Sequence, residues 1–422
     1  MKPKRTVQET NKTTIQQYNN QSMTNQLTVL ILAGDVKGQR LITECKQEGC
    51  RVLVLTRHAL QGDPDWPHGD VDEFYFMPSL TKKDDVINAV SYLARTVNID
   101  RIIPLDDFDV EIASTLREHL RIPGMGDTTA RNFRDKLAMR MVTSEKGILS
   151  PAFVSMLNHP AIHHYTQHVP PPWVLKPRSQ AGAAGIRKIH SAEELWHYLS
   201  QLGDEQSHFL LERFVPGDIF HVDAITINGE VQFVEVSKYG RPPLEIIQGG
   251  GIFMTSTQKR NSLDALALRD LNKQVLSALK FQRGVTHTEF IKSHADGKFY
   301  FLETAARVGG AYIAEVIEYA TGVNLWTEWA KIEIAGDKLP YKVPQHREDY
   351  AGIVLCLAKQ EWPDLSGYND PEVVHRIVKK NHAGLIVASP DAAKVHAMLD
   401  SYSVRFSQDF LTAAPQYDRI DR

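Results

Sequence analysis

The sequence predicts a protein of mixed α/β and α+β class, built from two to four packed units. Its 422 residues exceed what one hydrophobic core usually serves. Short apolar runs alternate with helical periodicity in the first third, which is typical of a parallel sheet covered by helices. Hairpin signals and longer amphipathic helices follow, which favour antiparallel sheets in the remainder.

Four regions are expected along the chain. Residues 1–26 are rich in Gln, Asn, Thr and Lys and lack the apolar stretch of a signal peptide, so we expect a disordered leader. An N-terminal α/β domain is predicted over 27–125 and a central domain over 126–340, with a lid at about 150–216. The tail, 341–422, is predicted to be a separate α+β cap.

The elements are predicted from their periodicity in chain order. In the first domain we expect strands at 29–32, 51–55 and 101–105, and helices at 84–93 and 109–120. In the central domain we expect a helix at 128–145, strands at 173–176 and 208–215, a helix at 192–202, a hairpin at 219–236 around Asn228-Gly229, a helix at 263–279 and one or two helices at 311–335. In the tail we expect strands at 351–358, 373–379 and 383–388, and a helix at 392–399.

Composition excludes several classes of function. The net charge of −3 gives no reason to expect a nucleic-acid or anionic-membrane partner. No apolar run reaches the ~18–20 residues of a membrane span. The three cysteines, Cys45, Cys50 and Cys356, form no CxxC pattern, so neither a zinc site nor a disulfide framework is expected. A reducing cytoplasm is the expected compartment.

Two glutamates are predicted to face each other on one hairpin. β-Forming residues surround Glu289 and Glu303, and Asp296-Gly297 lies between the two arms. A loop of odd length, with Gly297 in the left-handed position, would pair the two carboxylates. Like charges in register repel each other unless a cation lies between them, and oxygen ligands suit Mg²⁺. The alternative is an exposed pair on a solvated face.

Two further stretches could bind a nucleotide. Lys176 ends a strand before the small-residue loop 179–185, in which glycines would let backbone N–H groups approach phosphate oxygens. The alternative is a plain turn before a helix, because the Walker order is missing. Glu212 ends another strand, where a carboxylate and a free strand edge could read adenine. The alternative is a surface pair of Glu212 with Arg213.

The order of these motifs resembles the ATP-grasp superfamily over about residues 29–335, and the tail resembles the C-terminal cap of its carboxylase-like members. Within that superfamily, the stretches His287-Thr288-Glu289 and Glu303-Thr304-Ala305-Ala306-Arg307 resemble the bacterial L-amino acid ligases. The resemblance implies an ATP-grasp fold, with 27–125 as the pre-ATP-grasp domain. It implies ATP and Mg²⁺ as cofactors, with Mn²⁺ as a substitute.

The resemblance also implies roles for individual residues. Those implied to bind the nucleotide are Lys136, Lys176, Ser179, Gly182, Gly185, Glu212, Arg213, Val215 and Asp218. Glu289 and Glu303 are the implied Mg²⁺ ligands, and Arg307 together with Lys176 is implied to act in catalysis. Those expected at the substrate are His287, Arg307, Gly309, Gly310 and Gly250, with the loop 245–251 beside them. His287 alone would more often be a structural hydrogen-bonding residue, and the glycine loop a flexible connector.

One position departs from the superfamily pattern. Many members carry Asn two residues after the second glutamate, as a further metal ligand, whereas this chain has Ala305. In the predicted register Ala305 faces His287, so water, or a water held by His287, would complete the metal's ligands.

The activity implied is an ATP-dependent ligase that joins a small carboxylate and an amine through an acyl phosphate. The expected partners are therefore small molecules, and a homodimer is common among related ligases. Two alternatives remain open: a biotin-carboxylase-like enzyme, and a nucleotide-binding protein that has lost catalysis.

Overall fold

The structure, a computed structural model, describes residues 26–182, 184–336 and 341–412. Nearly all of the predicted leader lies outside these residues. In the described part, no helix is both long and apolar enough to cross a membrane.

The N-terminal domain is a four-stranded parallel sheet with the strand order β3-β2-β1-β4. Its central strand β1 is apolar and fully buried, as expected of a strand covered on both faces. The bounds are Thr28–Ala33 for β1, Arg51–Arg57 for β2, Glu73–Met77 for β3 and Arg101–Pro104 for β4, with helices α1 at Gln39–Gln47, α2 at Lys83–Leu93 and α3 at Asp107–Leu120. The predicted strands and helices of this domain are present, and the sequence analysis missed β3 and α1.

The single helix predicted over 128–145 is wrong, because two helices occupy that range. The first, α4, is Asp127–Arg131, and the second, α5, is Lys136–Glu145. Asp135 lies between them in an extended conformation, and its side chain accepts a hydrogen bond from the Leu137 backbone N–H. An aspartate at this position caps a new helix instead of continuing the previous one. The cap places Lys136 in the first turn of α5.

The predicted lid is an antiparallel sheet of four strands in the order β5-β8-β6-β7. Val174 pairs with Glu212 across β6 and β8, so Lys176, two residues further along, lies on the same face as Glu212. The bounds are Phe153–Ser155 for β5, Trp173–Pro177 for β6, Arg187–Ile189 for β7 and Phe209–Arg213 for β8, with helices α6 at His159–His168 and α7 at Ala192–Leu202.

An eight-stranded antiparallel sheet, in the order β13-β12-β9-β10-β11-β14-β16-β15, joins the central domain to the tail. Its strands are β9 at Gly217–Ile227, β10 at Glu230–Tyr239, β11 at Phe253–Thr257, β12 at Arg283–Ser293, β13 at Phe299–Ala305, β14 at Tyr350–Leu357, β15 at Val373–Lys379 and β16 at His382–Ser389. The helices are α8 at Pro243–Gly249, α9 at Leu263–Ala278, α10 at Ile313–Thr321, α11 at Leu325–Ala335 and α12 at Ala392–Asp409. The tail therefore continues the central sheet through the pairing of β14 with β11.

The β12–β13 hairpin confirms the predicted pairing and corrects the reason for it. Glu289 pairs with Glu303, and His287 pairs with Ala305. Gly297 has a φ of 69°, in the left-handed region as expected. The odd-length loop is wrong, because six residues, 293–298, separate the last pair, Lys292 and Phe299. A β-bulge restores the register: Phe290 pairs with Phe301, so Leu302 is the extra residue.

The N-terminal sheet and the central domain share one hydrophobic core. Apolar residues of β1 and β2 pack in the same cluster as Trp326 and Trp329 of α11 and Val285 of β12. This packing fixes the carboxyl edge of the parallel sheet against the end of β13. The N-terminus of α3 therefore lies beside the residues that follow the glutamate hairpin.

Candidate functional site

A cavity of about 320 Å³ lies between the lid sheet and the eight-stranded sheet. Eleven predicted site residues line it: Lys136, Lys176, Gly182, Glu212, Arg213, Val215, His287, Glu289, Glu303, Arg307 and Gly310. Five others do not: Ser179, Gly185, Asp218, Gly250 and Gly309. The structure thus brings most of the predicted residues to one place. We call this space the first cavity.

Lys136 and Glu303 form an ion pair at the wall of the first cavity. Lys136 Nζ lies 3.0 Å from Glu303 Oε2 and donates to the Gln180 carbonyl oxygen at 2.7 Å. Desolvation raises the pKa of Glu303, but the charges of Lys136 and Lys176 outweigh it and lower that pKa to about 2. Glu303 is therefore a carboxylate at any physiological pH, and Lys136 ties α5 to both the hairpin and the small-residue loop.

Lys176 is held by a buried network that the sequence did not reveal. Its Nζ lies 2.5 Å from Glu212 Oε2, and Arg140 Nε donates to Glu212 Oε1 at 2.6 Å. Burial raises the pKa of Glu212, but Arg140 and Lys176 outweigh it and lower that pKa overall. Burial lowers the pKa of Lys176. Both carboxylate oxygens of Glu212 bond to cations here, so its expected contact with an adenine amino group stays a prediction.

The segment after β8 contains a backbone donor without a partner beside the cavity. Arg213 N–H donates to the Ala152 carbonyl oxygen, and Phe214 N–H donates to that of Pro172. Val215 N–H, by contrast, has no hydrogen-bond partner among the described residues. A backbone N–H at a cavity wall beside a strand edge can pair with a ring nitrogen.

Glu289 faces Glu303 across the hairpin and is held by an aromatic hydroxyl. Tyr239 Oη donates to Glu289 Oε1 at 2.9 Å. Within the described chain, Glu289 Oε2 and Glu303 Oε1 accept no hydrogen bond. Two paired carboxylates, each with one oxygen left over, fit the oxygen ligands that Mg²⁺ takes. These two residues are therefore the ones that could hold the metal.

His287 belongs to a buried chain of polar groups behind Glu289. Its Nδ1 donates to Asp223 Oδ1 at 2.9 Å, and His221 Nδ1 donates to Asp223 Oδ2 at 2.6 Å. Burial lowers the pKa of His287, but Asp223 outweighs it and raises that pKa to about 10. His221, Asp223 and His287 have the ligand types of a metal site, but the hydrogen bonds already engage both Asp223 oxygens.

Arg307 is held by the N-terminal domain. Its Nε donates to Asp107 Oδ2 at 2.7 Å, and its Nη2 donates to the same oxygen at 2.5 Å. Burial lowers the pKa of Arg307, but Asp107 outweighs it and raises that pKa well above its usual range. Arg307 therefore brings a fixed positive charge to the cavity, oriented by the first turn of α3.

The expected substrate loops differ from the prediction. The loop 245–251 is largely the short helix α8, at Pro243–Gly249, and Pro243 and Leu244 line the cavity. The helix expected from residue 311 begins only at Ile313, so Gly309 and the turn that starts at Gly310 precede α10. A Cβ at Gly309 would lie 2.9 Å from His287 Nδ1, so glycine permits the close approach of this turn.

Asp218 lies outside the first cavity. It is the second residue of β9 and is about half exposed, and its Oδ2 accepts from Lys238 Nζ at 2.9 Å. Its neighbour Ile219 lines the cavity instead. The expected contact of Asp218 with a ribose stays a prediction.

Chemically, the first cavity can neutralise a polyanion at one end and receive an apolar group at the other. Lys136, Lys176 and Arg307 supply the positive charges. The apolar end is formed by Pro243, Leu244, Phe253 and Ile313. Fixed charges in a site that excludes water act more strongly than they would in bulk solvent.

Comparison with known proteins gives three kinds of match. A family model described as an ATP-grasp domain matches residues 169–315. An L-arginine-specific L-amino acid ligase of Bacillus subtilis is 26% identical over 297 residues, covering 69% of this chain and 70% of that protein.

Solved structures are similar over nearly the whole chain. An L-amino acid ligase from Bacillus licheniformis has a TM-score of 0.72 and 17% identity, covering 92% of this chain and 99% of that one. A second solved structure is the biotin carboxylase domain of a 2-oxoglutarate carboxylase from Hydrogenobacter thermophilus, in complex with MgADP and bicarbonate. It has a TM-score of 0.66 and 16% identity, covering 91% of this chain and 90% of that one. These likenesses confirm the fold class predicted from the sequence.

Proposed function

We propose that this chain, which carries an ATP-grasp domain and has the ATP-grasp fold, is an ATP-dependent carboxylate–amine ligase. The observation that carries the proposal is that Lys136, Lys176 and Arg307 meet the glutamate pair around one cavity. The likeness to L-amino acid ligases supports small acids and amines of the amino-acid type as substrates.

The nucleotide would lie between the lid and the glutamate hairpin. Val215 N–H would pair with the adenine ring, because it is the donor left over at that wall. Lys176 and Lys136 would contact the phosphates, and the backbone around Gly182 would close over them. Glu289 and Glu303 would hold Mg²⁺, which would supply charge neutralisation at the triphosphate.

The reaction follows from the charges. A carboxylate oxygen of the acid attacks the γ-phosphorus of ATP, and the bond from that phosphorus to the β-phosphate bridge oxygen breaks, which yields an acyl phosphate and ADP. An amine then attacks the acyl carbon, inorganic phosphate leaves, and the amine loses a proton to give an amide. Arg307, fixed by Asp107, would hold the transferred phosphoryl group. No nucleophile from the protein is needed.

The acid would bind beyond Arg307, where His287 and the apolar end of the cavity meet. The imidazole of His287 carries a positive charge at neutral pH because Asp223 raises its pKa, so it can attract a carboxylate. Phe253, Leu244 and Ile313 would then face the acid's side chain. An apolar side chain suits that end better than a charged one.

The test is a phosphate-release assay with ATP, Mg²⁺ and pairs of amino acids, followed by mass analysis of the products. We expect phosphate release that requires both an acid and an amine, with a product mass equal to the pair minus water. Glu303→Gln should reduce turnover at least ~100-fold, because it removes a charge at the metal and the partner of Lys136. Glu361→Gln, an exposed glutamate paired with Lys380, serves as the control.

Two outcomes would contradict the proposal. Turnover that depends on bicarbonate and yields no amide would favour the biotin-carboxylase-like alternative. Binding of ATP without phosphate release across a broad panel would favour a nucleotide-binding protein that has lost catalysis. Near-normal turnover in Glu303→Gln would overturn the metal assignment alone.

A further inference from the structure

A second cavity, of about 500 Å³, lies where the N-terminal domain meets the central domain. Ala306 lines it, whereas the next residue, Arg307, lines the first cavity. Four basic residues line the second cavity: Arg101, Arg117, Lys280 and Arg283. Among its described lining residues Glu333 is the single acidic one. We call this space the junction cavity.

Arg117 is unusual among these cations because it is buried and bonds only to backbone carbonyl oxygens. Its side chain belongs to a residue that is 5% exposed, and its Nε and Nη2 both donate to the Ile102 carbonyl oxygen, at 3.1 and 2.5 Å. Its Nη1 reaches the Met125 carbonyl oxygen only at 3.5 Å. Within the described part of the chain, no carboxylate lies within 4.0 Å of this guanidinium.

Two other buried arginines, Arg140 and Arg134, each have a carboxylate within 4.0 Å. Arg140 donates to Glu212, and Arg134 lies 3.8 Å from Asp107. A buried charge without a counterion is costly, and proteins normally pair it. Burial lowers the pKa of Arg117, and the charge of Glu333 opposes that shift without reversing it, whereas Asp107 raises the pKa of Arg307. Arg117 therefore has no carboxylate within 4.0 Å among the described residues, and Glu333 acts on it only over a longer distance.

Two neighbouring cations show the same pattern. Arg101 Nε donates to the Glu333 carbonyl oxygen at 2.7 Å, and its Nη1 donates to that of Asp100 at 2.8 Å, so it too bonds to backbone. Lys280 is exposed and forms no ion pair with a described residue. Glu333 Oε1 instead accepts from Trp329 Nε1 at 3.1 Å. The cavity therefore keeps an excess of positive charge.

The backbone of the loop at Gly124 lies very close to the Arg117 guanidinium. Gly124 has a φ of +142°, and a Cβ there would lie 2.7 Å from Arg117 Nε. A side chain at this position would be strained and would push the guanidinium away. Glycine thus lets the loop close against Arg117 while the guanidinium still lines the cavity.

We propose that the junction cavity binds a small molecule through a phosphate group, with Arg117, Arg101 and Lys280 as its cationic ligands. A phosphate accepts several charge-assisted hydrogen bonds at once, and guanidinium groups match its geometry. The volume exceeds that of the phosphate alone, so it leaves room for a small organic group. This site is separate from the nucleotide site proposed above and does not depend on its chemistry.

The test is calorimetric titration of the full chain with pyrophosphate and, separately, with citrate as a polyanion without phosphate, both in metal-free buffer. Three variants accompany the unmodified chain: the double variant Arg101→Gln/Lys280→Gln, the variant Lys136→Met in the first cavity, and the control Lys273→Gln, an exposed lysine of α9. Arg117 is left unchanged because replacing a buried cation endangers folding.

We expect the double variant to lose the pyrophosphate site that Lys136→Met retains, with binding there at least ~10-fold weaker, because it lacks two charged ligands of the junction cavity. Lys136→Met and Lys273→Gln should each retain a pyrophosphate site of unchanged affinity. Equal binding by the double variant and the unmodified chain would overturn the proposal. So would loss of all binding in Lys136→Met, which would place the pyrophosphate in the first cavity and leave the proposed ligase function untouched. Citrate binding without pyrophosphate binding would overturn the phosphate class.

Discussion

Arg307 depends on a carboxylate from another domain for its orientation. Asp107 accepts from both Nε and Nη2, and a third hydrogen bond runs from Nη1 to the Val308 carbonyl oxygen at 2.8 Å. The guanidinium is thereby fixed on three sides before any substrate binds. Preorganised charge of this kind is more effective in catalysis than charge on a free side chain.

The first prediction concerns this ion pair. Asp107→Asn should lower kcat ~10–100-fold, because it removes a charge-assisted hydrogen bond worth ~1.5–3 kcal/mol and lets the guanidinium turn. The KM for ATP should change much less, since Lys136 and Lys176 are untouched. Steady-state kinetics in the ligase assay measures both constants. The control is Glu111→Gln, which changes an exposed residue of the same helix. An unchanged kcat in Asp107→Asn would refute the role of Asp107 in orienting Arg307.

A second prediction concerns Glu235, which is 1% exposed. Its Oε2 accepts from Arg260 Nε at 3.1 Å, and its Oε1 has no hydrogen-bond partner in the described structure. Burial raises the pKa of Glu235 to about 7, although Arg260 opposes the shift. Because the folded-state pKa lies above the unfolded one, stability from this group is present below about pH 4.5 and is lost as the pH rises through 7.

The free energy of unfolding should therefore fall with rising pH. Between pH 5 and pH 8 the loss from Glu235 should be about 2 kcal/mol, and it should disappear in Glu235→Gln. Urea unfolding of both proteins at the two pH values measures it. An identical pH dependence of the two proteins would show that Glu235 titrates normally.

At this scale the sequence predicted residues that stand in motifs and missed those that support them. Lys136, Lys176 and the two glutamates lie in recognisable local patterns. Asp107 bonds to Arg307 although the two lie 200 positions apart in the sequence, and Arg140 bonds to Glu212 across 72 positions. Contacts over such separations depend on how domains pack, and a local pattern does not contain that information.

At the scale of elements, different residues of the glutamate hairpin reverse the chain and set the register of the carboxylates. The tip reverses the chain through Gly297, and the bulge at Leu302 sets the register of the carboxylates. The two features lie at different points of the hairpin, so a change at the tip need not move the two carboxylates.

The third prediction uses that separation. Gly297→Ala should destabilise the fold by about 1 kcal/mol, because alanine is strained at a φ of 69° even though a Cβ there meets no atom within 4 Å. Activity should stay within ~2-fold of the unmodified chain, because the bulge holds the register. Urea unfolding and the ligase assay check the two parts. Gly69→Ala, equally open but without a left-handed φ, should be nearly neutral.

Element prediction succeeded where the pattern was strong and failed where a single polar residue decided the outcome. Asn228 and Gly229 form the two-residue turn that was predicted, with both φ values positive. The helix expected at 128–145 is interrupted because Asp135 prefers to cap. Strands β5 and β7 were missed because three residues are too few to show a period.

At the scale of the whole molecule, the tail and the central domain form one sheet. Strand β14 pairs with β11 on one side and with β16 on the other. Ile353, on β14, packs in a cluster with Val316 and Ala320 of α10. The expected boundary at 341 therefore does not coincide with a break in the sheet.

The fourth prediction follows from the shared sheet. A chain ending at Gly336 should not unfold cooperatively, because it leaves the edge of β11 and the apolar face of α10 uncovered. Thermal unfolding followed by circular dichroism measures this, with the full chain as reference. A cooperative transition in the shortened chain would show that the central domain folds without the tail.

The order of the domains could be predicted from the sequence, but the continuation of the central sheet into the tail could not. Alternating runs predicted the parallel sheet, and the tail was correctly expected to contain three strands and a helix. The pairing of Thr255 with Ile353 spans almost 100 positions and is set by tertiary packing alone.

The shared sheet has a consequence for the order in which the chain is synthesised. All residues of the first cavity leave the ribosome before β14 does. Until the tail follows, the nascent chain presents β11 as an open sheet edge, which is a template for pairing with another molecule. Slow translation after α11 would therefore prolong exposure to misassembly, and a chaperone that shields strand edges would act in that interval.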